Sequence, residues 1–209
     1  MKRIIFCFLL FAGSINTAFS QVKTILLDAR DRIVADSTLA INYAVFGKVE
    51  GDTVYTFKKF DFDGVLLTSG TFKDDSLQVP HGQFVYYDWI TPDNNYTNLG
   101  YEINGKARYV VLSGKYINGL RTGKWLSFYA DGKVKQMATY VQGDLNGLYQ
   151  SYDNNGTVQI SGLYASGKKN GTWAMRGGKQ EDEYVDDKLI SSLSGRKLRD
   201  KQAQGKNVN

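Results

Sequence analysis

The chain has one cysteine, one histidine and two prolines among its 209 residues, and each scarcity excludes something. Cys7 lies inside a segment with the marks of a secretory signal. Lys2 and Arg3 open it, an unbroken apolar run from Ile4 to Ala12 follows, and Ala18-Phe19-Ser20 closes it with small residues at two positions. Cleavage before Gln21 is expected from that order, making residues 1–20 a signal peptide. Without them the chain has no disulfide, no thiolate nucleophile and no cysteine metal ligand. A lipid anchor is not expected, because a lipoprotein cysteine closes the apolar run and Cys7 sits near its start. The competing reading of the run, a membrane anchor, fails on length, since a spanning helix needs about 20 apolar residues. No later run suffices either, so no integral membrane segment is expected after cleavage. The expected location is the periplasm or the cell exterior.

Strong charge is missing too. Without Lys2 and Arg3 the chain keeps 24 basic and 21 acidic residues, a net charge of +3. The basic residues are scattered, with clusters only at Lys168-Lys169 and from Arg196 onward, so no nucleic-acid partner is expected. The few prolines and 14 tyrosines favour strands.

What the sequence does have is a 24-residue repeat. Tyr116, Tyr140 and Tyr164 keep that step. So do Gly119, Gly143 and Gly167, then Gly123, Gly147 and Gly171, then Trp125, Tyr149 and Trp173, and Gly132 and Gly156. A fixed period of this size marks stacked identical units. Each unit carries two turn signals. One is the segment Gly119 to Gly123, matched by Gly143 to Gly147 and Gly167 to Gly171, two of which end in Asn-Gly. The other is Asp131-Gly132, matched by Asn155-Gly156. Such residues tolerate the positive φ that tight hairpins need. The segments between have strand length. Their alternation (Val134, Gln136, Ala138, Tyr140 against Lys133, Lys135, Thr139) predicts one buried and one wet face. The small residue two places before each tyrosine, Gly114, Ala138 or Gly162, leaves room for a ring from a neighbouring strand. Worn copies run earlier through Phe57, Phe60, Asp63-Gly64, Gly70, Phe72, Gly82, Phe84 and Tyr87. About five units are expected over 53–177, interrupted by an insertion near 88–106.

The rhythm resembles the MORN-repeat variant family, the bacterial form grouped with YwqK-type antitoxins. Gly114 to Trp125 carries the motif fully, Tyr140 to Tyr149 and Gly162 to Trp173 nearly so, and the last unit departs at Arg176. The resemblance implies an all-β, elongated single-layer antiparallel meander of hairpin repeats that binds proteins and in some members associates with membranes. An antitoxin-like, immunity role is the sharper implication.

The flanks differ. Residues 21–52 are expected to cap the first sheet edge, with Asp36-Ser37-Thr38 opening a helical turn and Ile41, Tyr43 and Val45 alternating as a strand. Residues 178–209 are expected to be a polar tail, partly disordered, with a short helix suggested by Val185, Leu189 and Leu193.

No catalytic, cofactor-binding or metal-ligating constellation is expected. His81 reads as a solvated turn residue. Asp61 and Asp63 resemble the opening of a calcium loop, yet position 72 is Phe72 where a closing Glu is required, so a hairpin turn is the better reading. Glu181-Asp182-Glu183 and Asp186-Asp187 read as a solvated acidic flank. The candidate contact residues are the aromatic series Tyr116, Tyr140, Tyr164 and Trp125, Tyr149, Trp173, read either as a thin core or as an open row that receives a partner. The leading function is protein–protein binding by an exported, non-enzymatic repeat protein. The alternatives are binding to envelope carbohydrate or to a membrane surface.

Overall fold

The computed structural model describes residues 22–49, 51–95, 101–103 and 106–206; the expected signal peptide lies outside them. The strands are β1 (Lys23–Leu27), β2 (Ile33–Val34), β3 (Asn42–Gly47), β4 (Tyr55–Asp61), β5 (Leu66–Phe72), β6 (Gly82–Trp89), β7 (Tyr101–Ile103), β8 (Lys106–Ile117), β9 (Leu120–Phe128), β10 (Val134–Val141), β11 (Asp144–Tyr152), β12 (Val158–Ala165), β13 (Lys168–Met175), β14 (Gln180–Val185) and β15 (Lys188–Ser194). A helix, α1 (Gly195–Lys206), follows. All strands join one open antiparallel sheet, ordered from β15 back to β8, then β6 to β3, then β1 and β2. The fold is the single-layer meander that the repeat predicts. Within the insertion, β7 lies off this path and pairs with β8.

Two kinds of turn alternate. The wider one is a recurring loop closed by glycine. In it Tyr129 and Asp153 donate to the carbonyls of Lys133 and Thr157 at 2.8 and 2.9 Å, while Gly132 and Gly156 donate back. Asp61-Phe62-Asp63-Gly64 repeats this geometry. The Asp61 carboxylate accepts from the backbone N–H of Asp63 and Val65, as Asp153 does from Asn155 and Thr157. These are turns in which an Asp side chain mimics the backbone.

The tight turns fall at the first glycine of each predicted turn segment and not at its last. They are the two-residue loops Asn118-Gly119, Gln142-Gly143, Ser166-Gly167 and Asp186-Asp187, all with positive φ at both positions. Leu120 to Gly123 and Asn146-Gly147 lie within strands. Gly123, Gly147 and Gly171 mark β-bulges, where the register slips against the preceding strand. Asn146-Gly147 and Asn170-Gly171 thus mark bulges, positions that also need positive φ, whereas Asn118-Gly119 makes a tight turn. Gly82 (φ +101°) plays the same part before β6 regains its register. Gly147 has φ +112°, and a Cβ there would meet Thr139 at 3.3 Å. Gly147→Val is therefore expected to destabilise the fold by roughly 2 kcal/mol in urea unfolding.

Both flanks join the sheet. β1 and β3 pair along five residues, from Lys23↔Phe46 to Leu27↔Asn42, and form its N-terminal end. Asp36 caps the short turn Ser37–Leu39 through the Thr38 N–H at 2.9 Å. A small core of Leu27, Ala44, Phe46 and Phe57 sits here. At the other end, residues 180–206 of the expected polar tail hold β14, β15 and α1. Val185 and Leu189 belong to the β14–β15 hairpin, and Leu193 to β15, so their four-residue spacing arises from a two-residue turn and a bulge. The helix begins only at Gly195, where Leu198 is buried and Lys201 pairs with Glu181. Tertiary anchorage of this kind leaves no apolar periodicity to read.

Candidate functional site

Each bulge glycine stands two residues before a ring: Gly82 before Phe84, Gly123 before Trp125, Gly147 before Tyr149 and Gly171 before Trp173. Each also pairs directly with a tyrosine on the next strand, at Gly82↔Tyr116, Gly123↔Tyr140, Gly147↔Tyr164 and Gly171↔Tyr184. The bulge thereby brings the ring of one strand beside the tyrosine of the next. The two aromatic series of the sequence interleave on a single face. Phe57, Phe72, Phe84, Tyr116, Trp125 and Tyr140 touch in succession, with centroids 4.9–6.4 Å apart and planes nearly perpendicular. Beyond them Tyr149, Tyr164, Trp173 and Tyr184 continue at 5.0–6.2 Å. Edge-to-face pairs of this kind add about 0.5–1.5 kcal/mol each beyond area burial.

Small residues make the row possible. A Cβ at Gly114 would sit inside the Trp125 indole, at Gly162 inside the Trp173 indole, and at Gly70 inside the Phe84 ring. Ala138 pairs with both Trp125 and Tyr149. The indole N–H groups of Trp125 and Trp173 donate to the carbonyls of Lys115 and Leu163, both at 3.2 Å. Trp125 and Trp173 are only 3% and 1% exposed. They form the sheet's thin core. The tyrosines of the row are half-buried, and burial pushes the Tyr149 and Tyr164 phenols above their ordinary pKa, so they stay neutral.

Two cations stack on the tryptophans of this face, Arg121, which the sequence reading passed over, and Lys169, which it noted only as part of a basic pair. Arg121 stacks 4.5 Å from the Trp125 ring and donates to the Tyr140 hydroxyl at 3.2 Å. Burial lowers its pKa, but hydrogen bonds to Tyr116 and Tyr140 outweigh that and raise it overall. Lys169 lies 4.6 Å from Trp173 and 4.9 Å from Tyr184. Their two-unit spacing was the available signal; Leu145 stands between them in phase.

The acidic flank is only partly solvated. Asp182 is 4% exposed and lies opposite Trp173, where earlier units place Ala138 or Gly162. Burial raises its pKa, yet hydrogen bonds from Ser192 and Gln180 outweigh the desolvation and hold the carboxyl below its ordinary value. Asp186 and Asp187 form a tight turn, and the Asp187 N–H donates to the Lys169 carbonyl at 3.0 Å, as Gly167 and Gly143 donate to the Leu145 and Arg121 carbonyls one and two units earlier. His81 is drawn into the sheet: its Nδ1 accepts from the Asn118 N–H at 3.2 Å.

The opposite face was expected to be wet and polar. It is apolar in patches. Leu148 and Leu163 pair directly across strands at 37% and 54% exposure, and Ile117, Leu120 and Val141 are exposed as well. Each except Leu120 neighbours a ring in sequence and so points away from the aromatic row, and Leu120 shares the face of its partner Ile117. The sequence places Ile117, Val141, Leu148 and Leu163 each beside a ring of the row, and that alternation is the signal for this face. Among the described residues no helix is long and apolar enough to cross a membrane, and no group of three or more His, Cys, Asp or Glu is placed to hold a metal ion.

No curated protein matches the chain. Among solved structures, S. aureus TarM, a mutant in complex with fondaparinux, alpha-GlcNAc-glycerol and UDP, aligns at 11% identity and a TM-score of 0.30, over 61% of this chain and 21% of that one. A likeness that slight bears on neither fold nor function. Residues 121–142 and 145–166 match the family described as MORN repeat variant. These two stretches span the β9–β10 and β11–β12 hairpins, so residues 121–166 are similar to two MORN-variant repeats.

Proposed function

We propose that this is an exported, non-enzymatic interaction protein whose repeat sheet holds a protein partner, with an antitoxin-like immunity role as the sharper form. Repeats of this kind generally mediate protein or membrane-surface interactions. The observation that carries the reading is the exposed apolar patch of Ile117, Leu120, Val141, Leu148 and Leu163 on the face opposite the aromatic row. The aromatic face consumes its largest rings in its own packing, so the leucine face is the one left to a partner. Exposed apolar side chains grouped on one face are surface that a partner can bury. Export rests on the segment from Lys2 to Ser20 and its expected cleavage.

The experiment is capture by the full chain from envelope extract, with the Leu163→Asp variant in parallel. The unaltered chain is expected to retain one stoichiometric partner, and Leu163→Asp to bind it about tenfold or more weakly at an unchanged melting temperature. Recovery of no stable partner under gentle conditions contradicts the proposal. So does full retention by Leu163→Asp. A toxin-like partner identity tests the immunity role.

A further inference from the structure

At its N-terminal end the aromatic row opens into a cavity of about 590 Å³. The sheet supplies the floor, with Leu27 from β1, Phe57 from β4, Phe72 from β5 and Phe84 from β6. Two loops stand over it. In one, the Asp74 carboxylate accepts from the N–H groups of Gln78 and Val79 at 2.9 and 2.7 Å, and Leu77 packs on the Leu27–Phe57 cluster. An ion pair of Lys23 with Asp75, at 3.3 Å, ties that loop to β1. The other loop carries Asp31. Both Asp31 and Leu77 have φ of +58°, a left-handed conformation that is costly for leucine. The volume falls within the 300–1,000 Å³ range of small-molecule sites with mainly apolar walls and a few polar groups.

The polar groups define the guest. Two cations line the cavity, Arg32 and Lys59. The Arg32 side chain is 68% exposed, and its guanidinium is held by Asp28 at 2.7 and 2.8 Å. The Lys59 side chain is only 16% exposed. Its ammonium donates to both oxygens of Asp31, at 2.9 and 3.0 Å, while Asp31 itself is 59% exposed. An ammonium has three donors, so Asp31 leaves capacity for another acceptor. A withdrawn lysine is thus paired with a carboxylate that reaches in from a solvent-facing loop. Exchanging that carboxylate for one carried by a guest keeps the lysine's charge compensated, whereas a neutral guest brings no compensating charge and a cationic one is repelled.

We propose that this cavity binds a small amphipathic carboxylate, its apolar body against Phe57, Phe72 and Phe84 and its carboxylate on Lys59 in place of Asp31. The site is independent of the leucine face and goes beyond the partner-binding reading. The test is calorimetric titration of the full chain with decanoate, decanol and decyltrimethylammonium, each below its micelle-forming concentration. Decanoate is expected to saturate one site, with the other two binding about tenfold or more weakly. Lys59→Met keeps an apolar stem and is expected to abolish the preference for decanoate over decanol. Asp31→Asn, at an exposed residue where Asn tolerates the backbone, removes the competing carboxylate and is expected to tighten decanoate several-fold. Leu163→Asp is expected to leave decanoate binding unchanged, which separates failure here from failure of the partner proposal. Equal affinity for the three amphiphiles, no saturable decanoate binding, or undiminished preference in Lys59→Met would overturn the proposal.

Discussion

Gly162→Val is expected to lower the stability of the protein by roughly 3 kcal/mol. Gly162 has no positive φ, so the cost is steric. Its Cβ would fall among the Cδ2, Cε2 and Cγ atoms of Trp173. The indole cannot yield cheaply. It is 1% exposed, its N–H is bonded to the Leu163 carbonyl at 3.2 Å, and it meets Tyr164 edge-on at 5.0 Å. Moving the ring breaks the hydrogen bond and disturbs three aromatic contacts together. Gly156→Ala is the control. There φ is +84° but nothing lies within 4 Å of the added carbon, so only backbone strain of about 1 kcal/mol is expected. Urea unfolding midpoints compare the two, and equal losses would contradict the close approach.

Trp173→Ala is expected to cost more, about 3–5 kcal/mol. Its ring touches Tyr149, Tyr164 and Tyr184 and receives Lys169 at 4.6 Å, so its removal leaves four partners facing a void. The double variant Gly162→Val with Trp173→Ala adds a discriminating result. The valine then enters the space that the indole vacates, and the combined loss is expected to fall below the sum by about 1 kcal/mol or more. Strict additivity in unfolding experiments would mean that the two sites do not share that space.

The same physics decides what the sequence disclosed. The period was legible because every unit reuses one bulge and one ring, so Gly123, Gly147 and Gly171 and their aromatics recur in phase. The close approach was legible too, since Gly114, Ala138 and Gly162 are small where alternation calls for a buried side chain. What was obscured was the use of each glycine. Positive φ serves a tight turn and a bulge alike, and composition does not separate Gly119 from Gly123. The C-terminal strands were hidden because Glu181, Glu183, Ser191 and Ser192 carry no apolar alternation; they are strands by virtue of pairing with β13 and with each other. The cavity was illegible because its walls come from five strands and two loops that only the sheet order brings together. The leucine face was written plainly at Leu148 and Leu163, but exposure is a property of the packed sheet, and only the sheet shows it.

The central claim is that glycine bulges seat the large ring of each hairpin on the backbone of the neighbouring strand, making one aromatic face and freeing the other. Proton NMR of the full chain tests it most directly. The Hα resonances of Gly114 and Gly162 are expected to be shifted strongly upfield by the indoles above them, with NOEs to the ring protons of Trp125 and Trp173 respectively. Unshifted Hα resonances without those NOEs would contradict it.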